Sequence, residues 1–220
     1  MKKTIFAFLL IIGLFISVPL YAASPGPLEQ VKVPIEKGIA LLKDPQYTAP
    51  DKKELQREKI WEIVKDAFDF KLISMRALAR SWRDFSPKEQ EDFVVQFTEL
   101  LRNTYIDKIQ GEFHDEEIVF LTQDMISQDK AVVKSKILRG KVEIPMDYSM
   151  YFHDAKWWIY DVNIEGVSLV SNYRTQFKNI LEKEKPAQLI QRLKEKNEKH
   201  ERDRGLDLEH ADLKKDQKTP

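Results

Sequence analysis

The sequence contains no cysteine. Disulfides, thiolate zinc sites, iron–sulfur clusters, cysteine nucleophiles and lipid-modified cysteines are therefore excluded. Glycine is scarce, at seven residues in 220. Neither GxxxxGK nor GxGxxG occurs, so no phosphate-cradling loop is written here. The motifs GxSxG and HExxH are missing as well. No internal repeat is present. Net charge is absent too: 36 basic residues balance 36 acidic ones. That balance argues against a nucleic-acid protein working by bulk electrostatics. What is present is a 42% hydrophobic fraction, enough for a real core. The length suits one domain with appendages.

The first two dozen residues differ from the rest. Lys2 and Lys3 precede an uncharged run from Thr4 to Leu20, and Ala22-Ala23-Ser24-Pro25 follow. This is the three-part pattern of a secretory signal peptide over residues 1–22, with cleavage after Ala22 or Ala23. The alternative is an uncleaved anchor, but the run is at the short end of the roughly 17–25 residues a bilayer needs. A cysteine-free secretory chain of this type is expected in the periplasm. No ATP is supplied there, so binding, transport or hydrolysis are the available tasks.

Periodicity divides the remainder. Leu28, Val31, Ile35, Ile39 and Leu42 form a helical stripe that Pro34 starts or kinks. Asp51 and Glu54 read as a capping box for a second helix, and a third covers about 70–82. Ser86-Pro87-Lys88-Glu89 opens the clearest helix, with Phe93, Phe97, Leu100, Leu101, Tyr105 and Ile109 on one face. The period then changes to two. Strands are predicted over 117–126, 131–139 and 142–152, with a fourth after a turn at Asp154-Ala155-Lys156. Val142, Ile144, Met146, Tyr148, Met150 and Phe152 share one face, and Trp158, Tyr160, Val162 and Ile164 repeat the pattern. Gly166 is read as the end of the sheet, followed by a helix bearing Leu169, Val170, Tyr173 and Phe177. The domain is expected over 23–195. Residues 196–220 are charged and nearly devoid of large apolar groups, and read as a disordered tail.

The fold class expected is α+β: helices packed on a curved, four-stranded antiparallel sheet, forming a cone, and a cone can hold a ligand. His114-Asp115-Glu116-Glu117 has the residue types of a metal site. Consecutive loop residues rarely converge on one ion, so it reads as a solvated turn, and no catalytic, metal or cofactor site is expected. One enzymatic alternative survives, an isomerase-like pocket pairing a tyrosine with a buried acid. Tyr160 and Asp161 are strand neighbours on opposite faces, and no inward carboxylate accompanies Tyr148. Periodicity also leaves open whether the aromatic helix face packs as core or borders a ligand.

Several segments carry a resemblance. Phe68-Asp69-Phe70, Ala77 to Trp82, Phe85-Ser86-Pro87-Lys88-Glu89-Gln90, Tyr160-Asp161-Val162, Ile164 to Val170 and Asn172-Tyr173-Arg174-Thr175-Gln176-Phe177 together resemble the MlaC family, also called the toluene-tolerance or organic-solvent-resistance family. The likeness covers about residues 28–195. One departure is visible: Ala79 stands where members often carry glycine, three residues before Trp82. The resemblance implies a cone similar to nuclear transport factor 2. It also implies a periplasmic phospholipid-binding component of an ABC transport system. Implied partners are phospholipid, an inner-membrane MCE-domain protein with its permease and ATPase, and an outer-membrane lipoprotein complex, with no nucleic acid. The chain is expected to act as a monomer that maintains outer-membrane lipid asymmetry.

A phospholipid cavity needs two facing apolar walls. The sheet wall expected is Val142, Ile144, Tyr148, Met150, Trp158, Tyr160 and Val162. The helix wall is Phe93, Phe97, Leu101, Tyr105, Leu169 and Tyr173. Met75, Met146 and Met150 suit chains of varying length. Arg80, Arg83 and Arg174 are candidates for the head-group phosphate. The cavity is expected near the top of the usual range of roughly 300–1,000 Å³. The alternative from another class is a periplasmic enzyme on the same cone, acting on a small apolar substrate.

Overall fold

A computed structural model describes residues 25–216, with side chains to residue 205. The expected signal peptide lies outside the described residues, as do residues 217–220 of the expected tail.

Four helices come first. Helix α1 (Pro27–Lys43) runs through Pro34 without interruption. Helix α2 (Lys53–Ala67) begins after a 3-10 turn, with Lys52 rather than Asp51 at its cap. Helix α3 (Phe70–Leu78) is capped by Asp69, whose Oδ1 accepts the Leu72 N–H at 2.8 Å. It then tightens into a 3-10 segment over Ala79–Asp84. Helix α4 (Pro87–Glu112) opens on the reciprocal Ser86–Glu89 capping box that its sequence announces.

The sheet follows: β1 (Glu117–Ser127), β2 (Lys130–Arg139), β3 (Val142–His153), β4 (Lys156–Ile164) and β5 (Val167–Ser168), antiparallel and in chain order. The expected count of four strands is corrected to five. Glu165 and Gly166 both have positive φ, 53° and 84°, the signature of a tight two-residue hairpin turn. Gly166 therefore turns the chain back instead of ending the sheet. Helix α5 (Leu169–Leu181) leaves directly from β5.

The expected alternation fails in β4. Tyr148 pairs with Val162 and Ser149 with Asp161, but Met150 pairs with Ile159. Tyr160 is thus the extra residue of a β-bulge, which shifts the side-chain alternation by one. Trp157 and Ile159 turn inward, 6% and 3% exposed, and join Val162 in the core. Trp158 and Tyr160 are outside that core. The Trp158 ring meets the Lys156 ammonium at 4.0 Å, and the Tyr160 ring meets the Arg76 guanidinium at 4.2 Å.

Helix α6 (Pro186–Asp216) continues through the stretch read as a charged tail as far as residue 216. Leu189 and Leu193 bury its first turns, and Asn197 continues the same face at 6% exposure. The buried stripe changes from leucine to polar residues, so a hydrophobic pattern cannot register it.

Two buried clusters result. One is formed among the helices and the residue joining the 3-10 segment to α4, with Phe85, Phe93, Phe97, Tyr173 and Phe177 in edge-to-face and tilted contact. The other joins α1 and α2 to the sheet through Val31, Ala67, Val133, Tyr148, Met150 and Trp157. Phe68 packs against both.

Candidate functional site

Between the clusters lies a pocket of about 560 Å³. Helix α1 contributes Val31, Ile35, Ile39 and Leu42, and α2 contributes Ile60, Trp61, Ile63 and Val64. The second half of α4 contributes Leu101, Tyr105, Ile106 and Ile109. The sheet contributes Ile118, Ile137, Ile144, Met146, Tyr148, Ile159, Val162 and Ile164, and Phe68, Phe70, Ile73 and Leu169 close the space. The side chains are overwhelmingly hydrocarbon. The volume falls mid-range for ligand pockets, below the upper end expected.

Of the residues expected in the walls, Leu101, Tyr105, Ile144, Tyr148, Val162 and Leu169 border this pocket. Phe93, Phe97 and Tyr173 pack inside the helical cluster instead. Helix α4 spans both environments: its first half is core, and its second half faces the pocket. Met150 is fully buried in the sheet cluster, Val142 is 57% exposed, and the bulge removes Trp158 and Tyr160. Met146 borders the pocket, whereas Met75 is 36% exposed.

Arg80, Arg83 and Arg174 do not line the pocket. Arg80 and Arg83 are exposed on the 3-10 segment. Arg174 donates from Nε to the Arg76 carbonyl at 3.0 Å. The basic side chains in the wall are Arg102, Lys108 and Arg139. Sequence reasoning had no signal for these, because each sits on an element whose other residues read as ordinary amphipathic surface.

Charge in the wall is largely engaged. Arg139 Nε donates to Glu116 at 2.7 Å, and its Nη1 lies 3.7 Å from Glu112. Burial opposes ionisation of Glu116, but the His114 N–H and the Arg139 guanidinium outweigh it and hold the carboxyl below its ordinary value. The acidic turn expected to be solvated is thus partly buried: Glu116 bridges to β2, and Asp115 lies 3.5 Å from Lys43. Asp161 also borders the pocket, correcting the expectation of no carboxylate there. Its oxygens accept the Ser168 hydroxyl at 2.5 Å and the Val170 N–H at 3.0 Å, so it caps α5. Among the described residues no His, Asp and Glu cluster is arranged to hold a metal.

A second hollow, of about 580 Å³, lies along α1 and α2. Glu29, Lys37, Glu62, Asp66 and Lys156 line it, and that mixed charge suits water better than hydrocarbon.

Fold and site together define an α+β protein that keeps an apolar pocket between its helices and one face of an antiparallel sheet. The chain belongs to the MlaC family: the family model described as MlaC protein matches residues 34–195. A solved structure of a phospholipid-binding protein from Ralstonia solanacearum, in complex with a phospholipid, is similar to it with a TM-score of 0.69. That likeness has 22% identity over 80% of this chain and 99% of the other, and shows a shared fold. Among curated proteins none matches.

Proposed function

We propose that this protein is a periplasmic phospholipid carrier. It shelters acyl chains in the pocket and moves lipid between an outer-membrane lipoprotein complex and an inner-membrane complex of MCE-domain protein, permease and ATPase, maintaining outer-membrane asymmetry. The observation that carries this reading is the apolar pocket itself. Membership of the MlaC family supports it, as does the phospholipid held by the Ralstonia protein.

The physical need is plain. A diacyl lipid exposes about 30 methylenes, and at roughly 0.8 kcal/mol each their hydration costs on the order of 20 kcal/mol. Free passage through water is negligible, and a hydrocarbon-lined container removes most of that cost. No catalytic group is required, and the protein acts by binding rather than by turnover. Met146 and the long aliphatic side chains give a wall that adapts to different chain lengths. Energy for loading or extraction comes from the partner ATPase, since the sequence carries no nucleotide-binding motif.

Organic extraction and mass spectrometry of the purified protein test the reading. Glycerophospholipid at near-unit stoichiometry is the expected result. A lipid-free protein that does not take up phospholipid from vesicles would refute it. Val162, 7% exposed in the pocket wall, gives the matching variant. Val162→Trp is expected to remove lipid uptake by filling the pocket while circular dichroism shows a folded chain. Full uptake by a folded Val162→Trp protein would place the lipid elsewhere.

A further inference from the structure

Behind the pocket wall lies a set of polar side chains that lipid binding does not use. Arg57 of α2 is almost fully buried, with a side chain 2% exposed. Its Nε donates to Asp107 Oδ1 at 2.8 Å and its Nη2 to Asn103, both on α4. Helix α6 completes the set. Asn197 donates to the Gln96 carbonyl of α4 at 2.9 Å. His200 Nε2 lies 2.5 Å from Asp107 Oδ2, and the Arg204 guanidinium meets Glu54 of α2. Spacings of three and four place Asn197, His200 and Arg204 on one helical face. That face touches both α2 and α4.

These two helices form much of the pocket wall, through Ile60, Trp61 and Val64 of α2 and Leu101, Tyr105 and Ile109 of α4. Asp107 is the junction, holding Arg57 with one oxygen and His200 with the other. We propose that residues 196–205 of α6 are a strap that fixes the separation of α2 and α4 and thereby slows exchange of the pocket's ligand. The exchange part rests on the carrier reading; the mechanical part does not. The match to the MlaC family model ends at residue 195, just before the strap.

Two observations favour a strap over a simple stabilising contact. Arg57 Nη1, Asn103 Nδ2, Asn197 Oδ1 and Arg204 Nε are buried without a hydrogen-bond partner. A half-satisfied polar network holds a geometry but stabilises less than an apolar interface of the same size. It also separates more readily. In addition, any widening of the pocket that draws α4 away from α2 has to break the links at Asp107 and Glu54.

Two variants of the full chain test this: truncation after Lys196, and the double substitution H200A/R204A, which keeps the helix. In the ligand-free protein, amide hydrogen exchange over residues 57–66 and 98–109 is expected to accelerate by about tenfold or more in both variants, as local opening becomes easier. With nitrobenzoxadiazole-labelled phosphatidylglycerol as probe, release to acceptor vesicles is expected to accelerate by about fivefold or more. If H200A/R204A leaves hydrogen exchange unchanged, the strap is overturned whatever the lipid result. If exchange accelerates but no form binds the probe, the carrier reading fails and the mechanical strap stands. If exchange accelerates and the probe leaves at the wild-type rate, the strap does not govern ligand exchange.

Discussion

Ala79 holds a conformation that its β-carbon opposes. Its φ of 51° and ψ of −119° end α3, in a region that side chains rarely adopt and glycine enters freely. This is the position where the family resemblance leads one to expect glycine, and alanine there carries a local strain in the fold. Ala79 is exposed, and trimming its methyl opens no cavity. Ala79→Gly is expected to stabilise the protein. Relief of roughly 1–3 kcal/mol of strain exceeds the roughly 0.5–1 kcal/mol that glycine's looser unfolded chain takes back. The net gain of about 1 kcal/mol corresponds to a rise of about 2–4 °C in melting temperature. A lower melting temperature would show that the strain is not there. Asp69 illustrates the opposite economy of design at this scale. It caps α3 through Oδ1, accepts the Tyr151 hydroxyl, and donates its own N–H to the Ile159 carbonyl at 2.9 Å. One residue of the Phe-Asp-Phe signature thus ties the α2–α3 junction to the sheet.

At the scale of the element, β4 decides which half of the strand faces inward. Without the bulge, Trp158 would lie inward with Val162; with it, Trp157 does. The two adjacent tryptophans separate these arrangements by thermodynamics. Trp157→Ala removes a buried ring and is expected to cost about 3–5 kcal/mol, whereas Trp158→Ala is expected to cost about 1 kcal/mol or less. Urea unfolding of both variants measures the difference, and equal losses would contradict the bulged register. The hairpin at Glu165-Gly166 has a comparable consequence. It adds β5, aims α5 back across the helical cluster, and places Asp161 where it can cap that helix. Helix α4 shows why a single amphipathic stripe underdetermines a site. Its 26 residues pack as core in the first half and border the pocket in the second.

At the scale of the whole molecule, the pocket exists because two cores fail to merge. Each core buries a tyrosine. Burial pushes the Tyr148 hydroxyl up to about 12, with the Ser135 hydroxyl opposing weakly. Burial, with Tyr105 beside it, does the same to Tyr173. An unfolded tyrosine ionises near ~10. Between that value and about 12 the unfolded chain gives up protons that the folded one keeps. Stability is therefore full below the unfolded value and declines as pH rises toward the folded one. Tyr148→Phe is expected to move the alkaline unfolding midpoint upward, read by circular dichroism against pH; an unmoved midpoint would mean that Tyr148 is not buried as described. By itself the sequence determined the α+β class, the first four helices, the first four strands, the Ser86 capping box and the family, because these depend on residues close together in the chain. Only the tertiary structure decided which apolar residues border empty space. A buried side chain obeys the same periodicity whether it touches protein or a void. A one-residue bulge reverses a face without altering composition, and a polar stripe such as Asn197, His200 and Arg204 reveals its packing only when its partners arrive from distant segments.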